Sequence, residues 1–249
     1  MARKSFLAFS CVHRPVHDVA GCKWLVNQIA ERRPDFVVNL GDFFDAECLS
    51  SHLKSKKTKL ADEYDSAGEL LEAIHDASPR SKLVYMEGNH EQRMRRPEWS
   101  DVSDLLDYRK HIEPCKRWKH FQYRYDPSSI FRIGQVGFYH GFVTSRGGVK
   151  GESVKLGVPY GLTISGHTHR PFPIHRISMG NTPLPYWHCN PGTFITSDVE
   201  YMLTHDTSLW GSAIITGWAQ DNVRCDLKQH WEAELVPYKM FWDGKMEAI

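Results

Sequence analysis

The sequence predicts an α/β fold in which a parallel sheet covered by helices is followed by a second sheet. Three observations predict it. Short apolar runs alternate with segments of helical spacing between Ser5 and Gly88. β-rich runs dominate from Gln135 onward. Metal-capable side chains stand just past the end of nearly every apolar run, which is where open α/β sheets form their sites.

Ser5–Cys11 is a short apolar run that stops abruptly in polar residues, so it reads as a buried first strand. His17–Arg33 places Val19, Trp24, Leu25 and Ile29 at helical spacing, and Pro34 ends that helix. Asp35–Leu40 is β-rich and runs into Gly41-Asp42 as a second buried strand. Lys54–Lys59 is a basic loop or helix start. Leu60–Ala77 sets Leu70, Leu71 and Ile74 on one side of a second helix, and Lys82–Met86 is a third strand running into Gly88-Asn89. This alternation argues for a parallel sheet covered by helices. Arg93–His120 is charged and Trp-bearing, and is expected to be helical and partly exposed. Gln135–Phe142 and Gly161–Ser165 read as further strands. Beyond Arg170, Pro-rich turns and runs such as Ser212–Gly217 and Leu235–Phe241 are expected to build the second sheet, mixed or antiparallel. With no repeat, low-complexity stretch or linker, one domain over residues 1–249 is expected.

The 31 basic and 30 acidic residues give a net charge of +1, which excludes a global positive field for holding nucleic acid and leaves room only for a local patch. The 14 histidines invite a search for clusters. Six cysteines include no Cys-x-x-Cys pair, which argues against a zinc knuckle or a thioredoxin-like motif. Ser5–Cys11 is too short for a signal-peptide core, and no run approaches the roughly 20 apolar residues that span a bilayer. A cytoplasmic protein with reduced thiols and no membrane association is expected.

Five polar clusters carry the chemistry: Cys11-Val12-His13, Gly41-Asp42-Phe43-Phe44-Asp45, Gly88-Asn89-His90-Glu91, His140-Gly141 and Gly166-His167-Thr168-His169. Each follows a predicted strand, so they should converge although spread over some 160 positions. His, Asp and Asn together suit divalent ions such as Mn²⁺, Fe²⁺ or Zn²⁺. The donors exceed what one ion needs, so two ions are implied, with a carboxylate such as Asp42 able to bridge them. Two ions about 3.5–4 Å apart can hold a hydroxide between them and clamp phosphate oxygens.

These segments resemble the calcineurin-like metallophosphoesterase superfamily, whose blocks read Asp-x-His, Gly-Asp-x-x-Asp, Gly-Asn-His-Glu, His-Gly and Gly-His-x-His in this order. Asn190-Pro191-Gly192-Thr193 also looks like a turn found in bacterial members. The resemblance implies a four-layer α/β/β/α sandwich with two mixed sheets. It implies that His13 and His169 hold a first metal, that Asn89, His140 and His167 hold a second, and that Asp42 bridges them. His90 resembles the family's non-ligand catalytic histidine, oriented by Asp45. The implied reaction is hydrolysis of a phosphodiester or phosphomonoester by a hydroxide bridging two metal ions. The substrate is a phosphate ester, with a nucleotide or oligonucleotide open. A nuclease acting on DNA or RNA is one alternative. A catalytically weakened scaffold or binding module with one metal site is another. Cys11 supports the latter, because it stands where the family has aspartate; it reads as a thiolate ligand, a spectator beside a weak first site, or an inactivating change.

Other residues carry plainer readings. His17, His52, His75, His111, His120, His175, His188, His205 and His230 are expected to be structural or exposed. Cys189 reads as a core thiol, and Glu91 as a support for its loop. Arg93 is a candidate phosphate ligand, whereas Arg95 and Arg96 read as an exposed face paired with Glu98 and Asp101. Lys54, Lys56, Lys57 and Lys59 form a basic run that either steers an anionic substrate or is merely solvated. Trp99, Trp118 and Tyr123 could stack on a base, but local core is the expected role.

Overall fold

The computed structural model describes residues 2–50, 58–112, 122–177, 184–196, 209–223, 228–242 and 245–248. Its first strand, β1 (Arg3–Phe9), is buried on both faces, which is why its sequence is a continuous apolar run. Leu7 and Phe9 point to one side, where they meet Leu25 and Ile29 of α1 (Val19–Arg32) and Leu70, Leu71 and Ile74 of α2 (Leu60–Ala77). Phe6 and Ala8 point to the other side, into a second core. β2 (Phe36–Asn39) and β3 (Lys82–Met86) repeat the division, with Val37, Leu83 and Tyr85 under the helices and Val38, Val84 and Met86 opposite. Burying one such side chain stabilises by about 1.5–3 kcal/mol. α1 starts where the Asp18 carboxylate accepts from Gly21 N at 2.9 Å, and ends at Arg33, left-handed at φ 43°, just before Pro34.

The runs Ser212–Gly217 and Leu235–Phe241 do not join the second sheet. They lie in β10 (Gly211–Gln220) and β11 (Trp231–Trp242), and β10 pairs antiparallel with β1, Leu7 opposite Thr216. With β4 (Gln122–Tyr123) and β12 (Lys245–Ala248), the first sheet has seven strands among the described residues, in the order β12-β11-β10-β1-β2-β3-β4. The reason is that β1 would otherwise present an unpaired edge in the middle of the molecule, and an apolar run does not state which edge it will cover.

The second sheet holds β5 (Phe131–Ile133), β6 (Val136–Tyr139), β7 (Leu162–Ser165), β8 (Phe172–Ile177) and β9 (Tyr186–Asn190), in the order β5-β6-β7-β9-β8. Both sheets mix parallel and antiparallel pairs. They meet face to face, with Phe6 edge-on to Phe138 at 5.2 Å. The fourth layer is the helix Arg146–Leu156, whose Ser153 hydroxyl bonds Tyr139 at 3.1 Å and His188 at 3.0 Å on the outer face of this sheet. Four layers are thus present as expected.

The described part of Arg93–His120 is not one helix. After a turn, α3 (Asn89–Gln92), it breaks into 3₁₀ turns at Arg93–Arg95 and Pro97–Val102, then α4 (Ser103–Leu106) and α5 (Tyr108–His111). Pro97 lacks the N–H a continuing helix needs, and Asp107 accepts from Arg109 N to start the last turn afresh. The helix Arg146–Leu156 is therefore α6. Trp99 packs against the helix-side core, as the plainer reading expects; the side chain of Tyr123 and the whole of Trp118 lie outside the described residues. No helix among the described residues is long and apolar enough to cross a membrane.

Candidate metal centre

The loops after β1, β2, β3, β6 and β7 meet at one edge. Cys11 N donates to Gly41 O at 3.0 Å and His13 N to Asp42 O at 3.0 Å, so the first two loops run side by side. Cys11, His13, Asp42, His167 and His169 all have positive φ, between 52° and 67°. Such backbone costs of order 1–3 kcal/mol per residue and persists only where neighbours over-determine it. Two glycines are needed for close approach. A Cβ on Gly41 (φ 103°) would lie 2.6 Å from His140 Nδ1, and one on Gly88 would lie 2.2 Å from Asp42 Oδ1.

Two donor groups that share Asp42 result, buried but for the partly exposed His167. Cys11 Sγ, His13, Asp42 and His169 form one, with ligand atoms all within 4.8 Å of one another. His13 Nδ1–H donates to Asp45 Oδ1 at 3.1 Å, which turns its Nε2 lone pair toward His169 Nε2 at 3.0 Å. Asp42, His140 and His167 form the other. His140 Nδ1 donates to Leu40 O at 2.7 Å, so its Nε2 faces Asn89 Oδ1 at 3.1 Å and Asp42 Oδ2 at 3.3 Å. Oxygen and nitrogen lone pairs that converge on one point need a positive charge between them. The donors therefore fit divalent ions, and all seven sequence-predicted ligands lie at this edge.

His90 stands outside the two groups that share Asp42, and with His13 and Asp45 forms a third cluster of similar closeness. Its N–H donates to Asp42 Oδ1 at 3.0 Å, and its Nδ1 lies 2.7 Å from Asp45 O and 3.0 Å from Asp45 Oδ1. Asp45 thus contacts Nδ1 of both His90 and His13. Arg93 donates to Asp45 O at 2.8 Å and lies 3.2 Å from His90 Nε2.

The electrostatics separate the histidines. Burial opposes ionisation of Asp42, but the charges on His140 and His90 outweigh it and hold the carboxyl well below its usual range. Asp45 is likewise held well below, because hydrogen bonds from His13 and His90 outweigh its burial. Burial and the neighbouring His90 push His13 down; burial and His140 bring His167 to about 4; burial and His13 push His169 well down. Those three rings are neutral donors. His90 and His140 go the other way: burial lowers them, but Asp42 together with Asp45 for His90, and Asp42 together with the Leu40 carbonyl and Glu91 for His140, more than offset it. Burial pushes the Cys11 thiol well up.

A second ring of contacts fixes the loops. Glu91 accepts from Asp42 N (3.1 Å), Phe43 N (2.8 Å), Gly88 N (2.8 Å) and Tyr85 Oη (2.9 Å), so it supports the Asp42 loop as well as its own. Asn190 donates to Gly166 O at 2.7 Å, and Thr193 Oγ1 to Cys11 O at 2.7 Å. The sequence reading missed Glu63, which accepts from Ala46 N (2.6 Å) and Glu47 N (2.9 Å) and anchors the chain after Asp45. Its signal was a carboxylate on the apolar stripe of α2. Also missed were Trp210, edge-on to His169 at 4.3 Å, and Tyr125, edge-on to His140 at 5.5 Å; isolated aromatics carry no sequence signal of this kind.

Other residues settle elsewhere. His17 bonds Pro15 O at 2.9 Å and Arg14, away from both donor groups. Arg95 pairs with Glu87 and not with Glu98 or Asp101, because a buried carboxylate needs a cation; Arg96 lies 4.0 Å from Glu98 as expected. Cys11, Cys22 and Cys189 are free thiols. His52, His120, His205, Lys54, Lys56 and Lys57 lie outside the described residues.

Residues 4–171 match the profile of the calcineurin-like phosphoesterases. Solved structures of similar fold include Yfce, a phosphoesterase from E. coli, at 14% identity, covering 88% of this chain and 93% of that one, with a TM-score of 0.44. Vacuolar Protein Sorting 29 from Cryptosporidium parvum aligns at 14% identity over 99% of this chain and 96% of its own, TM-score 0.47. Vps29 from Chaetomium thermophilum aligns at 15% identity over 94% and 95%, TM-score 0.39. No curated protein matches the sequence significantly.

Proposed function

The chain belongs to the calcineurin-like phosphoesterase family, and on that premise we propose that it hydrolyses a phosphodiester or phosphomonoester with two divalent ions that Asp42 and the residues around it would hold. The observation that carries this reading is that two donor groups share that one carboxylate. Cys11, His13 and His169 would complete the first site, and Asn89, His140 and His167 the second. The ions would supply Lewis acidity, acidifying a coordinated water and neutralising phosphate oxygens.

The remaining work belongs to the chain. Asp45 holds Nδ1 of both His13 and His90, so each ring presents Nε2 to the cleft. His90, its pKa raised by Asp42 and Asp45 against its burial, carries the proton that the leaving oxygen takes up. Arg93 now lies against His90 Nε2. Exchanging that contact for a phosphate oxygen would bind substrate and release Nε2 toward the leaving group. Cys11 gives the first site a soft donor, which favours Zn²⁺ or Fe²⁺ over Mn²⁺ there; its buried thiol gives up its proton only when a metal takes the proton's place. Free thiols also suit a reducing compartment, so the cytoplasm is the proposed location.

The test is hydrolysis of a chromogenic phosphodiester and the matching monoester by metal-free protein titrated with Mn²⁺, Zn²⁺ or Fe²⁺. Metal-dependent turnover of either ester, lost in His90→Ala, is the expected result. Two bound ions with no turnover of either ester would overturn it in favour of a binding module.

A further inference from the structure

On the outer face of the second sheet, a cleft of about 350 Å³ opens between α6 and β8. This lies within the size range of small-molecule sites. Val149, Phe172 and Pro173 give it an apolar wall, and Arg146, Lys150 and Arg170 give it positive charge. No carboxylate is among the described residues that line it, and none of the three cations forms an ion pair with another described residue. Like charges gathered without a counter-charge repel one another, so an anion there is favoured. Arg146 opens the first turn of α6, behind the Ser145 cap, where the helix dipole adds to the positive potential. His188 lines the same cleft while only 1% exposed, and its Nε2 has no hydrogen-bond partner. A buried polar atom in that state commonly meets its partner in a water or a ligand.

The cleft and the metal centre share one loop. His167 and His169 belong to the donor groups, whereas Thr168 between them, and Arg170 after them, line the cleft. We infer that this cleft binds a nucleotide, its phosphate held by Arg146, Lys150 and Arg170 and its base lying against Phe172 and Pro173. Guanidinium groups match phosphate geometry, and a flat ring beside a cationic rim suits a base joined to a phosphate. The inference rests on the phosphoesterase reading in one respect: the nucleotide is taken as the part of the ester that does not react.

Binding is measured by calorimetry on metal-loaded protein with adenosine 5′-monophosphate, and in parallel with inorganic phosphate. The nucleotide is expected to bind at least about tenfold more tightly than phosphate. Arg146→Glu/Lys150→Glu should weaken the nucleotide by about tenfold or more. Phe172→Ala should weaken it less, by about three- to tenfold, without weakening phosphate. Arg146 and Lys150 are exposed, so the double variant should melt with the wild type, which thermal unfolding checks. Equal nucleotide affinity in wild type and double variant overturns the inference, as does a nucleotide that binds no better than phosphate. For a nucleotide diester, KM should rise by about tenfold in the double variant; an unchanged KM overturns the assignment of the nucleotide to the substrate. Absence of hydrolysis counts against the phosphoesterase reading and leaves the calorimetric result standing.

Discussion

Cys11, His13 and His169 reach Asp42 from backbone held at positive φ, whereas Asn89 and His140 reach it from a helical turn and a strand end with ordinary backbone. Of the donors on that second side, only His167 shares the left-handed conformation. The charge environments differ too. His13 is pushed toward neutrality by burial and His90, and His169 by burial and His13, while His140 is raised because Asp42, the Leu40 carbonyl and Glu91 together outweigh its burial. One side of the centre is therefore held by strain, with a sulfur donor. The other draws Asn89 and His140 from regular structure and only His167 from left-handed backbone, with oxygen and nitrogen donors only. The difference teaches that Asp42 joins two sites of unlike stiffness and softness, and that they should respond differently to substitution.

Removing the shared carboxylate breaks both sides at once. In Asp42→Ala, metal content should fall toward zero and hydrolysis by at least about 10³-fold, read by elemental analysis and turnover. His90 lies outside both donor groups that share Asp42, so His90→Ala should lower kcat by about 10²- to 10⁴-fold while metal content stays at the wild-type level. Loss of metal in that variant would mean that the cluster of His13, Asp45 and His90 holds an ion, and would erase the distinction. Cys11→Ser tests the softness of the first side alone. It should weaken one ion on the order of 100-fold, measured by chelator competition, and leave the other in place. Cys11→Asp should restore two ions and move preference from Zn²⁺ toward Mn²⁺. Unchanged stoichiometry and preference in both variants would make Cys11 a spectator.

The smallest effect concerns the support of Asp45. Burial, with help from the charges of Asp45 and Glu47, raises Glu63 to about 8 from an ordinary value of 4.5. A carboxyl whose folded pKa is raised favours the native state fully below about 4.5, and that contribution is lost as pH climbs to about 8. Thermal unfolding should therefore show wild-type stability declining across this window more steeply than in Glu63→Gln. The variant loses one acceptor for the Ala46 and Glu47 N–H groups, a cost of about 1 kcal/mol. Equal slopes for the two proteins would mean that Glu63 titrates normally.

The sequence by itself determined the helix-side core, the parallel strands and the identity of the donors. Continuous apolar runs such as Phe6–Phe9 can only be buried on both faces, and parallel strands aim their ends, with His13, Asp42, Asn89, His140 and His167, at one edge. Only the tertiary structure decided that β10 and β11 close the first sheet, because which edge a strand pairs with depends on which edge is free. It also decided that Asp45 serves two histidines, that Glu63 anchors its loop and that Arg95 answers Glu87. Those contacts join residues brought near by packing, and neither spacing nor composition records distance across a fold. The cleft under α6 belongs to the same class: no pattern in the sequence joins Arg146, Lys150 and Arg170, and only the shared wall with Phe172 gives their charges a common direction.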